Sequence, residues 1–184
     1  MSTTHLDWYW DHESLVGELR RAGYGPTELP RIPGFDDIRE IRRGGQGIVF
    51  SAIQRSTKRR VAIKVLLEGA FASSSGRKRF EREIDLVAGL RHPNIVSVHD
   101  SGVTPDGRSY FVMEFIDGQP LDLYVASAKA SASTDPSNHL RLFAKICDAV
   151  NYAHQRGVIH RDLKPGNILV DSSGEPHVCD SRLA

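Results

Sequence analysis

One run of residues constrains this chain more than any other: His160-Arg161-Asp162-Leu163-Lys164-Pro165-Gly166-Asn167. It is polar, and it lies between a helical pattern that stops at Gly157 and a strand-like Ile168-Leu169-Val170. The fold must therefore hold this loop between a helix end and a strand. A carboxylate, a lysine and an amide so close in sequence can converge on one point. The carboxylate can accept a hydroxyl proton, the lysine can neutralise a phosphoryl oxygen, and the amide oxygen can bind Mg²⁺. Asp180 follows Asn167 by 13 residues, across a Ser172-Ser173-Gly174 turn. A hairpin of that length returns Asp180 beside Asn167 and pairs two hard oxygens for a metal.

Upstream, the pattern is β-rich. Ile38 and Ile41, then Ile48 to Phe50, then Val61, Ile63 and Val65 mark three short strands. Gly44-Gly45-Gln46-Gly47 separates the first two, and the basic turn Arg55 to Arg60 separates the second and third. Two further strands are predicted at Ile95 to His99 and Tyr110 to Phe115, joined by the turn Thr104-Pro105-Asp106-Gly107. Ala126 to Ser137 reads as a linker or a frayed helix end. Leu140, Phe143, Cys147 and Val150 then define one face of an amphipathic helix. A last strand is expected at Val178-Cys179. Residues 1–34 read as a leader, closed by Pro30, Pro33 and Gly34.

Three more features bear on chemistry. The glycine turn can point successive backbone N–H groups at phosphate oxygens and let the chain approach closely. In Val61-Ala62-Ile63-Lys64-Val65, alternation puts Val61, Ile63 and Val65 on one face and Ala62 with Lys64 on the other. An ammonium beside a small side chain leaves room for a flat ring with phosphates nearby. Finally, Phe80, Ile84, Val87 and Leu90 recur at helical spacing, and Glu83 falls inside that apolar sector, about 60° from Phe80. A carboxylate on a buried face needs a cation. Lys64 is the natural partner, and the pair would serve to hold Lys64 rigid rather than to add stability.

Composition narrows the function classes. The chain has 184 residues, with 24 Lys plus Arg against 23 Asp plus Glu, a formal net charge of +1. That balance argues against nucleic-acid binding by bulk charge. No run of about 18 apolar residues offers a membrane span. The cysteines, Cys147 and Cys179, imply no disulfide framework, and a reducing cytoplasm is the expected location. The histidines show no clean metal-ligand spacing, so His160 is expected to orient the loop rather than to bind metal.

Together these residues resemble the protein kinase signature set. Val61 to Lys64 resembles V-A-I-K, and His160 to Asn167 resembles H-R-D-L-K-P-x-N with the lysine of serine/threonine kinases. Glu83 matches the helix-C glutamate, and Val112-Met113-Glu114-Phe115 the hinge, with Met113 as gatekeeper. The style of Gly44 to Gly47 and of Gly157-Val158-Ile159-His160 is similar to the bacterial branch. The resemblance runs from Phe35 to Ala184 and implies an α+β, two-lobe kinase-like fold. Residues 35–116 would form the β-rich lobe and hinge, and 117–184 the beginning of the helical lobe.

The resemblance also implies an ATP- and Mg²⁺-dependent transfer of the γ-phosphoryl to a Ser/Thr hydroxyl of a protein substrate. ATP would lie under Gly44, Gly45 and Gly47. Adenine would sit among Ile41, Val49, Ala62, Met113 and Leu169, with main-chain groups of Glu114 and Ile116 at its edge. Lys64, held by Glu83, would reach the α/β-phosphates. Asp162 would orient or deprotonate the acceptor hydroxyl, Lys164 would stabilise the transferring group, and Asn167 with Asp180 would hold Mg²⁺.

Three departures from the family pattern stand out. Arg42 occupies the place of the first loop glycine; it need not block phosphate binding, because the second glycine makes the close approach. Asp180-Ser181-Arg182 replaces D-F-G, which keeps the metal ligand but should weaken alignment of the metal loop. The chain stops at Ala184, before an activation segment and the later helices. A fragment of a longer kinase is therefore expected, with the helix around Phe143 to Val150 exposing an apolar stripe. The alternative is a pseudokinase that binds nucleotide or a partner without chemistry. A small-molecule phosphotransferase is disfavoured by Leu163-Lys164-Pro165.

Overall fold

The computed structural model describes residues 29–44, 47–66, 84, 86–130 and 136–179. The chain divides into two compact units, Met1–Pro30 and Arg31–Ala184. The second holds every element described below. Its first five strands, β1 (Phe35–Gly44), β2 (Gly47–Gln54), β3 (Arg59–Leu66), β4 (Val98–Val103) and β5 (Ser109–Glu114), form one antiparallel sheet in the order β1-β2-β3-β5-β4.

β3 is central, and it is buried on both faces from Val61 to Leu66. One face joins Val61, Ile63 and Val65 to Ile48, Phe50 and Val112. The other joins Ala62 and Leu66 to Phe111, Met113, Val96 and Ile84. The alternation read from the sequence is thus the alternation of the sheet. β1 is an edge strand, and its register slips between Glu40 and Arg42. This bulge leaves Ile41 without a partner on β2 and bends the strand end. β1 and β2 close at the pair Gly44 and Gly47. A Cβ on Gly47 would stand 2.5 Å from the Val65 carbonyl oxygen, so only glycine lets β2 and β3 approach here. The basic turn is solvated; Arg55 pairs with Asp36 at 2.7 Å, but both are exposed and the pair adds little.

The strand expected at Ile95 to His99 is shifted. β4 starts at Val98, while Ile95 makes an isolated parallel bridge with Val178. Asn94 explains the difference: its side-chain amide donates to the Pro176 carbonyl at 2.8 Å, and its own carbonyl accepts from Val178 N–H at 2.8 Å. Asn94 to Val96 are thus stitched to β8 at the far end of the chain, and contact with β5 begins only at Ser97, whose carbonyl accepts from Glu114 N–H at 2.9 Å.

The remainder comprises β6 (Gly118–Pro120), α1 (Leu121–Ala130), α2 (Pro136–Gln155), a 3₁₀ turn (Pro165–Asn167), β7 (Ile168–Asp171) and β8 (Pro176–Val178). β6, β7 and β8 make a second antiparallel sheet in that order. β6 is too short to leave a period-two signature, and it was not foreseen. The Ala/Ser-rich stretch is helix as far as Ala130, as alanine's helix propensity favours, and α2 opens on Pro136, a residue suited to a first turn.

α2 buries a stripe that lies beside the one read from the sequence. Leu142, Ile146 and Ala149 pack on Ile168, Val170 and Val178, with Val150 at the margin. Leu140 and Phe143 are 71% and 63% exposed, and Cys147 is exposed. Two apolar stripes run side by side on this helix, and the one at i, i+4, i+7 meets the small sheet. Phe143 and Cys147 lie on the exposed apolar stripe expected around Phe143 to Val150, while Val150 itself is half-buried. Gly157, with φ of 76°, ends the helix in a Schellman pair: Gly157 N–H to His154 O at 2.9 Å and Val158 N–H to Ala153 O at 3.0 Å. Among the described residues no helix is long and apolar enough to cross a membrane.

Candidate active site

The Schellman turn aims the chain into the loop. Val158 and His160 are buried, while Ile159 between them is exposed. Asp162 N–H then reaches back to His160 O at 2.8 Å, around Arg161 with φ of 58°. A positive φ at a non-glycine residue costs on the order of 1 kcal/mol or more, so the neighbours must hold it. His160 is one of them. Its Nε2 lies 2.8 Å from the Cys179 carbonyl oxygen. An acceptor there requires Nε2 to carry the proton, and it leaves Nδ1 buried without a partner. Burial lowers the His160 pKa, so the ring stays neutral near pH 7. The bond to Cys179 ties the start of the loop to the end of the β7–β8 hairpin; among the described residues no group of three or more His, Cys, Asp or Glu could hold a metal.

Asn167 is the other fixed point. It is 2% exposed. Its N–H donates to Lys164 O at 2.9 Å, closing the 3₁₀ turn, and its carbonyl accepts from Cys179 N–H at 2.9 Å. Its side-chain Nδ2 donates to the Asp162 carbonyl at 2.9 Å and to Asp162 Oδ2 at 3.3 Å. Lys164 Nζ approaches the same Oδ2 at 3.1 Å. The carboxylate, the ammonium and the amide therefore converge, as their spacing suggested.

The β7–β8 hairpin brings the chain back beside Asn167 as far as Cys179. Asp180 itself lies outside the described residues, as do Gly45 and Glu83. The donor set suits a hard cation in one respect that the structure supplies: the Asn167 amide oxygen is held in one orientation, because both neighbours of Nδ2 are acceptors.

Lys64 faces this loop from β3. It is 5% exposed, opposite Val49 of β2 and Phe111 of β5, with Nζ 5.8 Å from the Phe111 ring centre. Among the proposed adenine contacts, Ala62 and Met113 share one cluster, with Val49 and Ile116 packed at its edge. Leu169 lies half-buried on the side of β7 opposite Ile168 and Val170. Ile41, the bulged residue, is 52% exposed and belongs to no cluster. Glu114 N–H is already committed to Ser97 O at 2.9 Å. An apolar cavity of about 50 Å³ opens behind Met113, walled also by Phe111, Val158 and His160.

One contact escaped the sequence reading. Arg42 crosses from the end of β1 to the loop, donating from one nitrogen to the Gly166 carbonyl at 2.7 Å and from another to Asn167 Oδ1 at 3.3 Å. The signal that was present, a long cation in place of a glycine, gave no partner.

A five-stranded antiparallel sheet carrying a buried lysine, over a small sheet and helix carrying a carboxylate–lysine–amide loop, is the two-lobe α+β fold of protein kinases. The sequence matches the protein kinase domain family over residues 35–184, and the chain belongs to that family. It is 38% identical over 155 residues to the serine/threonine-protein kinase PknD of Chlamydia trachomatis, covering 79% of this chain and 16% of PknD. It is 37% identical to the serine/threonine-protein kinase PrkC of Bacillus subtilis, covering 84% of this chain and 23% of PrkC. Among solved structures it is similar to the Mycobacterium tuberculosis PknI kinase domain, with a TM-score of 0.71 and 29% identity, over 87% of this chain and 62% of that one. The chain thus spans less than a quarter of these curated relatives and under two thirds of the solved domain. It resembles bacterial serine/threonine kinases, the Ser/Thr type as its Lys164 motif suggested and the bacterial branch as Gly44 to Gly47 and Gly157 to His160 suggested.

Proposed function

We propose that this chain is an ATP- and Mg²⁺-dependent serine/threonine protein kinase domain, acting in the cytoplasm on a protein hydroxyl. Residues 35–116 serve as its nucleotide lobe and 117–184 as the start of its substrate lobe. The observation that carries the reading is the convergence of Lys164 Nζ and Asn167 Nδ2 on Asp162 Oδ2, at 3.1 Å and 3.3 Å. Asp162 accepts and orients the acceptor hydroxyl. Lys164 neutralises charge on the transferring phosphoryl, and Lys64, paired with Glu83, grips the α/β-phosphates. Gly44, Gly45 and Gly47 cover the phosphates. Adenine rests among Ile41, Val49, Ala62, Met113 and Leu169, with the Glu114 carbonyl and Ile116 N–H at its edge. Magnesium, held by Asn167 and Asp180, would neutralise the β- and γ-phosphates when bound.

The test is transfer of labelled γ-phosphate from ATP to a generic Ser/Thr substrate. Asp162→Asn should lower it by about a hundredfold or more. Activity that survives this change removes the role assigned to Asp162.

A second reading, a pseudokinase that binds nucleotide without chemistry, draws on two features. Ser181-Arg182 stands in place of Phe-Gly, and the Arg42 guanidinium rests on Asn167 Oδ1. Thermal stabilisation by ATP that ignores Mg²⁺, with no phosphate transfer, is the outcome that favours it.

A further inference from the structure

We propose that Arg42 is a resident cation at the Asn167 end of the cleft, which a divalent metal must displace, so that Arg42 sets how nucleotide binding depends on magnesium. The inference rests on the reading that ATP and magnesium occupy this cleft. Three observations carry it. First, the guanidinium spans Gly166 O at 2.7 Å and Asn167 Oδ1 at 3.3 Å, and Oδ1 is the atom that a metal would use. The amide cannot flip to move Oδ1 away from the guanidinium, because Nδ2 is engaged by Asp162. A divalent ion seated on Oδ1 at about 2.1 Å would lie against the guanidinium, and the two charges repel.

Second, both acceptors of Arg42 are neutral amide oxygens, and among the described residues no carboxylate forms an ion pair with it. Among the described residues its positive charge therefore meets no carboxylate directly. Third, the placement is built into the strand. The register slip between Glu40 and Arg42 leaves Ile41 outward and 52% exposed, while Arg42 points across to the loop. The same contact ties the end of β1, beside the glycine turn, to the loop that holds Asp162.

The open, metal-ready state is then a fraction of the nucleotide-free population, and the apparent dissociation constant is the intrinsic one divided by that fraction. The experiment is calorimetric titration of the 184-residue chain with ADP, in excess Mg²⁺ and in EDTA, for wild type, Arg42→Gln and Arg42→Lys. Arg42→Gln should bind Mg·ADP about five- to tenfold more tightly and need less Mg²⁺ for half-saturation, a gain that disappears in EDTA. Arg42→Lys, which keeps the charge but not the planar fork, should fall between. Without metal and nucleotide, Arg42→Gln should melt about 2–4 °C lower, reporting the lost tie itself.

Equal Mg·ADP affinities in wild type and Arg42→Gln overturn the proposal and leave the ATP site standing. Weaker binding by Arg42→Gln also overturns it and makes Arg42 a phosphate ligand. No ADP binding by any of the three chains overturns the ATP site and this proposal together. If Arg42→Gln does not fold, Arg42→Lys decides the matter by the same signs at smaller amplitude.

Discussion

Asn167 uses every polar atom it has, and that explains why the loop around it can tolerate a strained Arg161. Neighbouring groups are tuned by the same packing. Burial of the Cys179 thiol, offset in part by a backbone hydrogen bond at Leu169 and by Arg42 and Lys64, pushes its pKa to about 12. Cys147 is exposed on α2. Iodoacetamide at pH 8 should therefore label Cys147 and spare Cys179 until the chain unfolds, as read by mass spectrometry; comparable labelling of both in the folded chain contradicts the burial argument.

His160 offers a pH test. Its folded pKa lies below the ordinary 6.5, chiefly through burial. The unfolded chain then binds a proton that the folded chain refuses, so stability present above pH 6.5 is lost as pH falls through the lower folded value. The melting temperature should drop between pH 7 and 5.5. His160→Gln, whose amide can keep the bond to Cys179, should flatten that slope, and an unchanged slope assigns it to another group.

At this scale, spacing made Asp162, Lys164 and Asn167 legible, because they converge within one loop. Ala62 and Lys64 were legible through strand alternation. The Arg42 contact was not, since 124 residues separate it from Gly166 and no local period encodes such a reach.

Elements show where pattern suffices and where packing decides. β2 and β3 were readable because Ile48 to Phe50 and Val61 to Val65 are rich in β-branched and apolar residues, and the turn at Gly157 because glycine adopts positive φ readily. β4 was misplaced because Asn94 borrows the preceding residues for the second sheet. Which residues α2 buries was not legible, because two stripes compete and only the facing sheet chooses between them. A matched pair of truncations checks this choice: Ile146→Ala, in the core at 4% exposure, should cost about 2–4 kcal/mol in urea unfolding. Phe143→Ala, at 63% exposure, should stay within about 0.5 kcal/mol. The reverse order would mean that Phe143, not Ile146, faces the core. Gly47→Ala should cost about 1–3 kcal/mol, because its Cβ would press on the Val65 carbonyl and part β2 from β3. A neutral result there removes the close-approach argument.

Among the described residues of the 31–184 unit, the two sheets meet at a seam where Ile95 bridges Val178 and Val96 N–H donates to Val178 O at 3.0 Å. That seam holds Lys64 on one side of a cleft and Asp162, Lys164 and Asn167 on the other. The fold class was legible from ordered motifs along the sequence; the way the seam closes was not, because it depends on pairings between distant segments. The claim beneath everything else is that this cleft takes ATP through Lys64. Its most direct measurement is the change in melting temperature on adding ATP with Mg²⁺, compared between the wild-type chain and Lys64→Met. At a ligand concentration of about 100 dissociation constants, binding adds about 2.7 kcal/mol, or roughly 5–10 °C for a chain of this size. The account predicts that shift in wild type and its loss in the variant. No shift in wild type, or an equal shift in both chains, contradicts it.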